Sequence, residues 1–545
     1  MCDFLSCQTN ATNGHTIPDV CCLLPTMPRL SANPAYFRSL RLSAFAPACL
    51  VSTLRNVGKV SLLLSLLGTL ATNTLAQTVE PPRQEPIENL RRLDSDWQER
   101  LQPTGRQQPA PPRHVADAEA PPPSVTDDDL RQYPQLAEIV ITASLHSQDW
   151  KTLAHVLHLY QQSPGHDPQL VRYGQGAILR QQRHHSAAIA QYRDMLNEDA
   201  SLDYVRFDLA AMLFENKQYR DARTQFEATA GNETLPPSMR QLAQLYLNTI
   251  DQQQRVVPRL RLRLIHNSNV NQSGDERDII FSNVILRKPL DAMPQSSWGT
   301  NYALILEQEA NIGGNHFLAY DASVDGLRYT SLSGYDENAI ALAFHYKNQT
   351  VSSWLALGPA LQWQWLDGKR YSHGEGLNAS IGHWFTPSVQ VSTYARWLKR
   401  HYYDVRLRSY EGDTSSISPG LLWMITPRAS LFAGLSYQRD SLAAPSESFR
   451  QRSINAGFAT QLENGLNLNA FAQIGFRRYD AVDTLLHEWR KDRRFTTNLS
   501  IGHSQLTFAG FEPKLGLLYE RVRSSHTALY TRRTRQWMLT LEKRF

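Results

Sequence analysis

Leu466-Asn-Leu-Asn-Ala-Phe-Ala-Gln-Ile-Gly-Phe-Arg477 decides how the carboxy-terminal half of this chain folds. Leu466, Leu468, Ala470, Ala472, Ile474 and Phe476 alternate with Asn467, Asn469, Phe471, Gln473, Gly475 and Arg477. Successive side chains of a strand point to opposite faces, so one face is apolar and the other mostly Asn, Gln, Gly and charge. Leu431, Ala433, Leu435 and Tyr437 repeat the pattern against Ser430, Phe432, Gly434 and Ser436, as do Leu515, Leu517 and Tyr519 against Lys514, Gly516 and Glu520. This is the signature of lipid-out, lumen-in strands. From Val256 onward, strand centres are expected near Leu262, Leu306, Ala322, Ala341, Ala356, Ala379, Thr393, Leu421, Leu435, Ala456, Ala470, Leu499, Leu517 and Leu539. That is about fourteen, an even number that suits a single-chain bacterial barrel, with strands of about 10–13 residues. Glu463-Asn464-Gly465 and Thr386-Pro387-Ser388 read as tight periplasmic turns, and Tyr403–Ser416 and Asp480–Arg493 as longer outer loops.

The composition agrees. Of 545 residues, 41% are hydrophobic and 10% aromatic, yet mean hydropathy is −0.43. A helical membrane protein needs apolar runs of about 18 residues or more. The longest here, Val60–Leu70, is broken by Ser61, Ser65 and Gly68. A polytopic helical membrane protein is excluded; a barrel, whose alternation averages to a polar composition, is not. A net charge of +5 argues against a nucleic-acid binder, which would carry a basic face or tail. Nine of the 11 tryptophans lie beyond residue 255, namely Trp298, Trp354, Trp363, Trp365, Trp384, Trp397, Trp423, Trp489 and Trp537. They read as interfacial side chains, apolar in the ring and wet at the N–H. On the last strand Trp537, Leu539, Leu541 and Phe545 share one face. A terminal aromatic closing an alternating strand resembles the signal read by the outer-membrane barrel assembly machinery.

All five cysteines (Cys2, Cys7, Cys21, Cys22 and Cys49) precede residue 50. A cysteine-free remainder fits a chain that crosses an oxidising periplasm. Arg55 and Lys59, the apolar run Val60–Leu70 and Thr74-Leu75-Ala76 before Gln77 make a charged region, a short apolar region and a small-residue cleavage site. Together they define a secretory signal peptide cut between Ala76 and Gln77. Its position inside the chain is expected to reflect a start codon assigned too early, or an extended signal peptide. Pro47 and the lack of a preceding apolar region exclude Cys49 as a lipoprotein cysteine. Removing residues 1–76 takes away five basic residues and two acids, so the +5 falls to +2.

Residues 77–125, rich in Pro, Gln and Arg, read as an extended linker, with a short helix expected around Pro86–Leu101. Residues 126–252 then recur with a 34-residue period. Leu145, Leu179 and Leu213 hold one position, and Ala154, Ala188 and Ala222 another. Thr142, Gly176 and Ala210 hold the small position, and His158, Tyr192 and Phe226 the aromatic one. The pattern resembles the tetratricopeptide repeat, in which small residues let paired helices approach and the aromatic fills the gap between repeats. About three repeats form a short curved stack whose concave face binds peptide or protein. The expected fold is thus α + β: tetratricopeptide-like helices, then a transmembrane antiparallel β-barrel over residues 256–545.

A secreted, cysteine-free chain with a short repeat module before a fourteen-stranded barrel resembles the surface lipoprotein assembly modulator (Slam) family, the outer-membrane component of type XI secretion. The resemblance spans residues 126–545 and includes the first barrel strand, Pro258–Gln272, where Asn267, Asn269 and Asn271 look like the family's asparagine-rich motif. It implies a translocon in the outer membrane of a Gram-negative bacterium. Its clients would be surface lipoproteins or secreted haem- or metal-scavenging proteins, with outer-membrane lipid, the barrel assembly machinery and periplasmic chaperones as further partners. The repeat domain would receive the client in the periplasm and the barrel would pass it. No enzyme, cofactor or metal is implied. The chain carries no G-x-x-x-x-G-K-[ST] loop, so the energy would come from client folding or from differences in binding along the path.

Two other readings compete. An exopolysaccharide export porin also joins repeats to a barrel, and Arg396, Arg400, Arg406, Arg408, Arg477 and Arg478 are a candidate sugar track. A barrel hydrolase would need a nucleophile elbow, and no G-x-S-x-G occurs. His503 and Ser504 are adjacent on a strand and face opposite sides, so they cannot pair. His373-Gly-Glu375 lacks the second half of a zinc site.

Overall fold

A computed structural model describes residues 126–545 apart from 282–283 and 485–486. The leader, the Ala76/Gln77 cleavage site, the whole linker and the expected helix near Pro86 lie outside the described residues.

Among the described residues eight helices come first: α1 Asp127–Gln132, α2 Pro134–Ser147, α3 Trp150–Tyr160, α4 Pro168–Gln181, α5 His185–Glu198, α6 Asp203–Glu215, α7 Tyr219–Gly231 and α8 Pro237–Gln254. Their starts are written in the sequence. Thr126 and Asp129 form a capping box on α1, Asp149 caps α3 through Thr152, and Asp167 caps α4 with Pro168 in its first turn. Each cap satisfies backbone N–H groups that the helix itself leaves open. Helices α2–α3, α4–α5 and α6–α7 form three pairs. The turn inside each pair holds one residue in the left-handed region: Gln148, Arg183 and Lys217, at φ 57°, 65° and 66°.

The barrel follows: β1 Val257–Asn267, β2 Asp278–Phe281, β3 Val284–Arg287, β4 Ser297–Gly313, β5 His316–Tyr329, β6 Glu337–Gln349, β7 Ser353–Leu366, β8 Lys369–Trp384 and β9 Val389–Tyr402. It continues with β10 Gly412–Thr426, β11 Ala429–Leu442, β12 Phe449–Gln461, β13 Leu466–Val482, β14 Trp489–His503, β15 Glu512–Ser524, the short helix α9 Thr527–Tyr530 and β16 Arg532–Arg544. Strand β1 joins β4 on one side and β16 on the other, closing fourteen antiparallel strands; β2 and β3 form a separate hairpin. Closure leaves no open edge. The chain end completes the seam, where the Phe545 N–H donates to Pro258 O at 3.0 Å.

Every expected strand centre lies inside a barrel strand. The strands are longer than expected, up to 17 residues in β4 and β13, because they continue past the apolar band into polar rims. For the same reason Gly412–Ser416, Asp480–Val482 and Trp489–Arg493 are strand rather than loop. The turns at 386–388 and 463–465 share the barrel end that bears the helices; the 403–411 and 483–488 connections lie at the far end.

Candidate functional site

Parity sorts the barrel wall. On β13, Ile474 and Phe476 are exposed while Gly475, Arg477 and Tyr479 are buried. Outward Leu262, Leu355, Leu377, Leu421, Leu435, Ile454, Leu499 and Leu539 are likewise exposed. A closed barrel with a belt of exposed apolar side chains crosses a membrane with strands, and an even-stranded single-chain barrel points to the outer membrane. No described helix is long and apolar enough to cross a membrane.

The inward side chains grade along the axis. In the half nearest the helices, Glu307, Glu309, Asp321, Ser323, His345 and Lys347 are half-exposed. There a cavity of about 610 Å³ lies among Gln252 and Arg255 of the α8–β1 junction and Arg259, Glu307, Asp321 and Lys347 of the wall. Its charges are matched across strands. Arg259 lies 2.6 Å from Glu307 of β4 and 3.9 Å from Glu542 of β16. Lys347 lies 2.8 Å from Glu309.

Toward the far end the inward side chains are buried. Leu366, Tyr371, Tyr402, Leu407 and Tyr410 form one cluster beneath the β9–β10 connection. Farther round the wall the Arg477 guanidinium sits 3.8 Å above the Phe449 ring. Arg490 lies 3.4 Å above the Tyr530 ring and 4.5 Å from that of Tyr479. The lumen is thus a vestibule on the helical side and is filled by side chains on the other.

The asparagine run works at that far end. Asn267 Nδ2 donates to Tyr329 Oη at 3.1 Å. Asn269 Nδ2 donates to Ser273 O and to Arg533 O of β16, at 2.9 and 3.1 Å, and its Oδ1 accepts from Ser273 N at 3.0 Å. Asn271 Nδ2 donates to Met293 O at 2.8 Å and its Oδ1 accepts from Gln295 N at 3.0 Å. Asn267 thus ties the end of β1 to β5, Asn269 ties the long 268–296 connection to β16, and Asn271 ties the start of that connection to its last turn before β4. Only a side chain with both a donor and an acceptor does this.

At the near end, helices and barrel share a core. Phe317 of β5 is buried with Tyr219, Phe226 and Leu213 of the helices. Around it, Gln218 Nε2 donates to Asn315 Oδ1 at 2.9 Å, Arg220 N to Asn311 Oδ1 at 3.0 Å, and Gln308 Nε2 to Gln254 O at 2.7 Å. The β4–β5 turn is therefore a wedge in the end of the helical stack. Among the helices, Tyr173 meets Tyr204 edge-on at 5.2 Å and Phe207 meets Tyr246 at 6.2 Å, a row of aromatics on the first helices of successive pairs. Beside that row, burial pushes the Asp208 carboxyl up, against the pull of Arg180 and of the hydrogen bond from Tyr173. Burial would also raise Glu215, but hydrogen bonds from His185 and Arg180 overcome it and bring the carboxyl down to about 2.

The residues singled out from sequence fall as follows. Ala188, Tyr192, Ala210, Leu213, Ala222 and Phe226 are buried and Leu179 packs against them. Gly176 lies against Tyr192, and a Cβ there would come within 2.0 Å of that ring. The first repeat differs. Helix α3 begins at Trp150 and α5 at His185, one residue farther apart than α5 and α7. The buried positions there are Ile141, Ser144, Leu153 and Leu157. Ala154, Thr142 and His158 face solvent, and Leu145 is half-buried. Trp354 is not interfacial: it lines the vestibule. The six arginines do not form one track. Arg396, Arg400 and Arg477 follow the inward parity, Arg478 is outward, and Arg406 and Arg408 sit on the Val405–Tyr410 turn at the far end. Trp537, Leu539, Leu541 and Phe545 keep a common outward parity on and just after β16.

Known proteins resemble the whole of this arrangement. The family model described as "Surface lipoprotein assembly modifier, N-terminal TPR repeats" matches residues 123–226. A "Surface lipoprotein assembly modifier" of Pasteurella multocida is 23% identical over 81% of this chain and 89% of its own. The "Surface lipoprotein assembly modifier 2" of Haemophilus influenzae is 23% identical over 87% of this chain and 96% of its own. A "Hemophilin secretion modulator" of Acinetobacter baumannii is 20% identical over 75% of this chain and 86% of its own. The barrel itself, residues 259–545 and more than half of the chain, matches the model described as "Surface lipoprotein assembly modifier", and the protein belongs to that family.

Proposed function

We propose that the protein moves specific client proteins, surface lipoproteins or secreted haem- or metal-scavenging proteins, from the periplasm to the cell surface. The observation that carries this reading is the vestibule: it opens beside a helical module wedged onto the same barrel end by Phe317 and its polar ring. The helices face the periplasm and receive the client along the aromatic row of α4, α6 and α8. The client then enters the vestibule and leaves when the far end opens. The outward face of Trp537, Leu539, Leu541 and Phe545 presents the chain to the barrel assembly machinery, and cleavage after Ala76 frees the linker and helices into the periplasm. No contiguous arginine track supports a sugar conduit.

Deleting residues 127–250 and residues 256–545 separately, with surface display of a client encoded beside this gene as readout, tests the reading. Both deletions should abolish display. Display unchanged in both would overturn it, and lost polysaccharide with normal display would favour the export porin.

A further inference from the structure

The far rim of the barrel is charged on the side that faces the membrane. On β13 the outward residues run Ile474, Phe476, Arg478 toward that rim; on β11 they run Leu435, Tyr437, Arg439. On β16 the series is Leu539, Trp537, Arg535, Arg533, and on β15 it is Leu517, Tyr519, Arg521, Arg523. β12 ends in Arg452 and Arg450, and β14 reaches Arg493 and Lys491 beyond Phe495. Six adjacent strands thus pass from apolar to basic residues, five of them by way of an aromatic side chain, on the same outward parity. These bases are exposed, apart from the half-buried Arg439 and Arg521.

The register sets like charges opposite one another. Arg450 stands across from both Arg439 and Arg478. Arg478 faces Lys491, Arg493 faces Arg523, and Arg521 faces Arg533. Directly opposed like charges destabilise a sheet, and few acids relieve these. Asp480 takes Arg439 and Arg450, each at 3.2 Å, and Asp275 takes Arg533 at 2.8 Å. Among the described residues, Arg452, Arg478, Lys491, Arg493, Arg523 and Arg535 have no ion-pair partner. The other half of the rim is more sparsely basic: β4, β6, β7 and β10 carry Thr300, Asn338, Trp363 and Ser415 at the corresponding outward positions, between single bases Arg328, Arg370 and Lys399 on β5, β8 and β9, and Arg328 is paired with Asp336.

We infer that the outward rim of β11–β16 binds the phosphate groups of a phosphorylated glycolipid in the outer leaflet. Guanidinium groups take phosphate through paired N–H donors. The aromatics below them mark the depth at which a headgroup meets its acyl chains. An anion reaching side chains on the lipid-facing parity, directly above an apolar belt, is a lipid headgroup. Binding there offsets the repulsion built into the sheet and fixes the rotation of the barrel, with the β1–β16 seam at one end of the band. The choice of leaflet rests on the orientation proposed above; the charge band does not.

Purified full-length protein in detergent is titrated with bisphosphorylated lipid A and with the same lipid after dephosphorylation, and bound lipid is counted by native mass spectrometry. The phosphorylated lipid should bind at least about tenfold more tightly. The variant R478Q/K491Q/R493Q/R523Q should lose most of that preference, R478K/R493K/R523K, which keeps the charges without the paired donors, should keep part of it, and R328Q/R370Q/K399Q on the other half of the rim should bind as the parent does. Heat-modifiable migration reports that each barrel is folded. Equal binding of the dephosphorylated lipid, or full affinity in the quadruple variant, would overturn the site. Separately, Ala443→Cys in the β11–β12 turn should react with an impermeant maleimide on intact cells. No labelling would overturn the leaflet, and with it the orientation, independently of the lipid titration.

Discussion

Gly176 shows how one missing atom sets the repeat. Alanine is the better helix former by about 1 kcal/mol, yet its Cβ would fall 2.0 Å from the Tyr192 ring. That ring is fully buried, and its hydroxyl donates to Tyr173 O at 2.8 Å. Overpacking costs about 1–3 kcal/mol, so Gly176→Ala should lower the denaturation midpoint of the helical signal in circular dichroism; an unchanged or raised midpoint would show that Tyr192 can move aside. Glu215 sets a pH dependence instead. Its carboxyl falls from 4.5 to about 2 on folding, so its ionised form contributes stability that is fully present above pH 4.5 and lost as pH falls through about 2. Acid titration of the helical signal should show this loss, and Glu215→Gln should flatten the curve between those values. Asn269 ties the far-end connection to β16. Replacing it by alanine removes three hydrogen bonds and leaves Arg533 O and Ser273 N without that partner, which costs about 1–3 kcal/mol for each buried group left unmade. Limited proteolysis should then cut within 268–296 at least several-fold faster, with the barrel intact.

Elements were legible wherever a period persisted. Leu466–Phe476 announces β13 because one face meets lipid and the other the lumen, and the same pressure marks every barrel strand. The 34-residue spacing located α4–α7 because buried small and aromatic residues recur there. It misplaced Ala154 because one extra residue between the first two pairs is invisible to a fixed period, although Leu153 and Leu157 supply the missing face. The β2–β3 hairpin has no such marker, since its four-residue strands are too short to show alternation. The candidate site was least legible. Asn267, Asn269 and Asn271 stood out in the sequence, but their partners come from β5, from β16 and from the 293–295 segment. Phe317 carries no mark of its own in the sequence, because its membership in the helical core depends on a turn docking far along the chain. Phe317→Ala should cost about 3–5 kcal/mol at this junction. Hydrogen exchange in α6 and α7 should rise while heat-modifiable migration of the barrel stays unchanged; unchanged exchange would mean the polar ring alone holds the two parts together.

The molecule as a whole is asymmetric along the barrel axis, and that asymmetry has a measurable consequence. Near the helices the lumen holds a cavity of about 610 Å³ with paired charges on its wall. At the other end Arg490 is enclosed between the Tyr479 and Tyr530 rings and lies 3.1 Å from Asp492. Tyr530 belongs to α9 in the β15–β16 connection, and its hydroxyl donates to Asp483 at 3.0 Å. A buried cation held by two rings and a carboxylate is a strong local tie, because a cation–π contact is worth about 2 kcal/mol or more when desolvated. It is also a tie that can be released without touching the barrel hydrogen bonds, so a passing chain could displace α9 and leave the strands closed. Arg490→Ala combined with Tyr530→Ala should therefore convert a nearly silent protein in planar bilayers into one with frequent openings, and should sensitise cells to large antibiotics that the outer membrane excludes. Removing Arg328, which points outward on the other half of the same rim, should do neither. If the double variant stays as silent as the parent, the far end is sealed by the Tyr371–Tyr410 cluster across the lumen, and Leu407→Ala becomes the substitution that opens it.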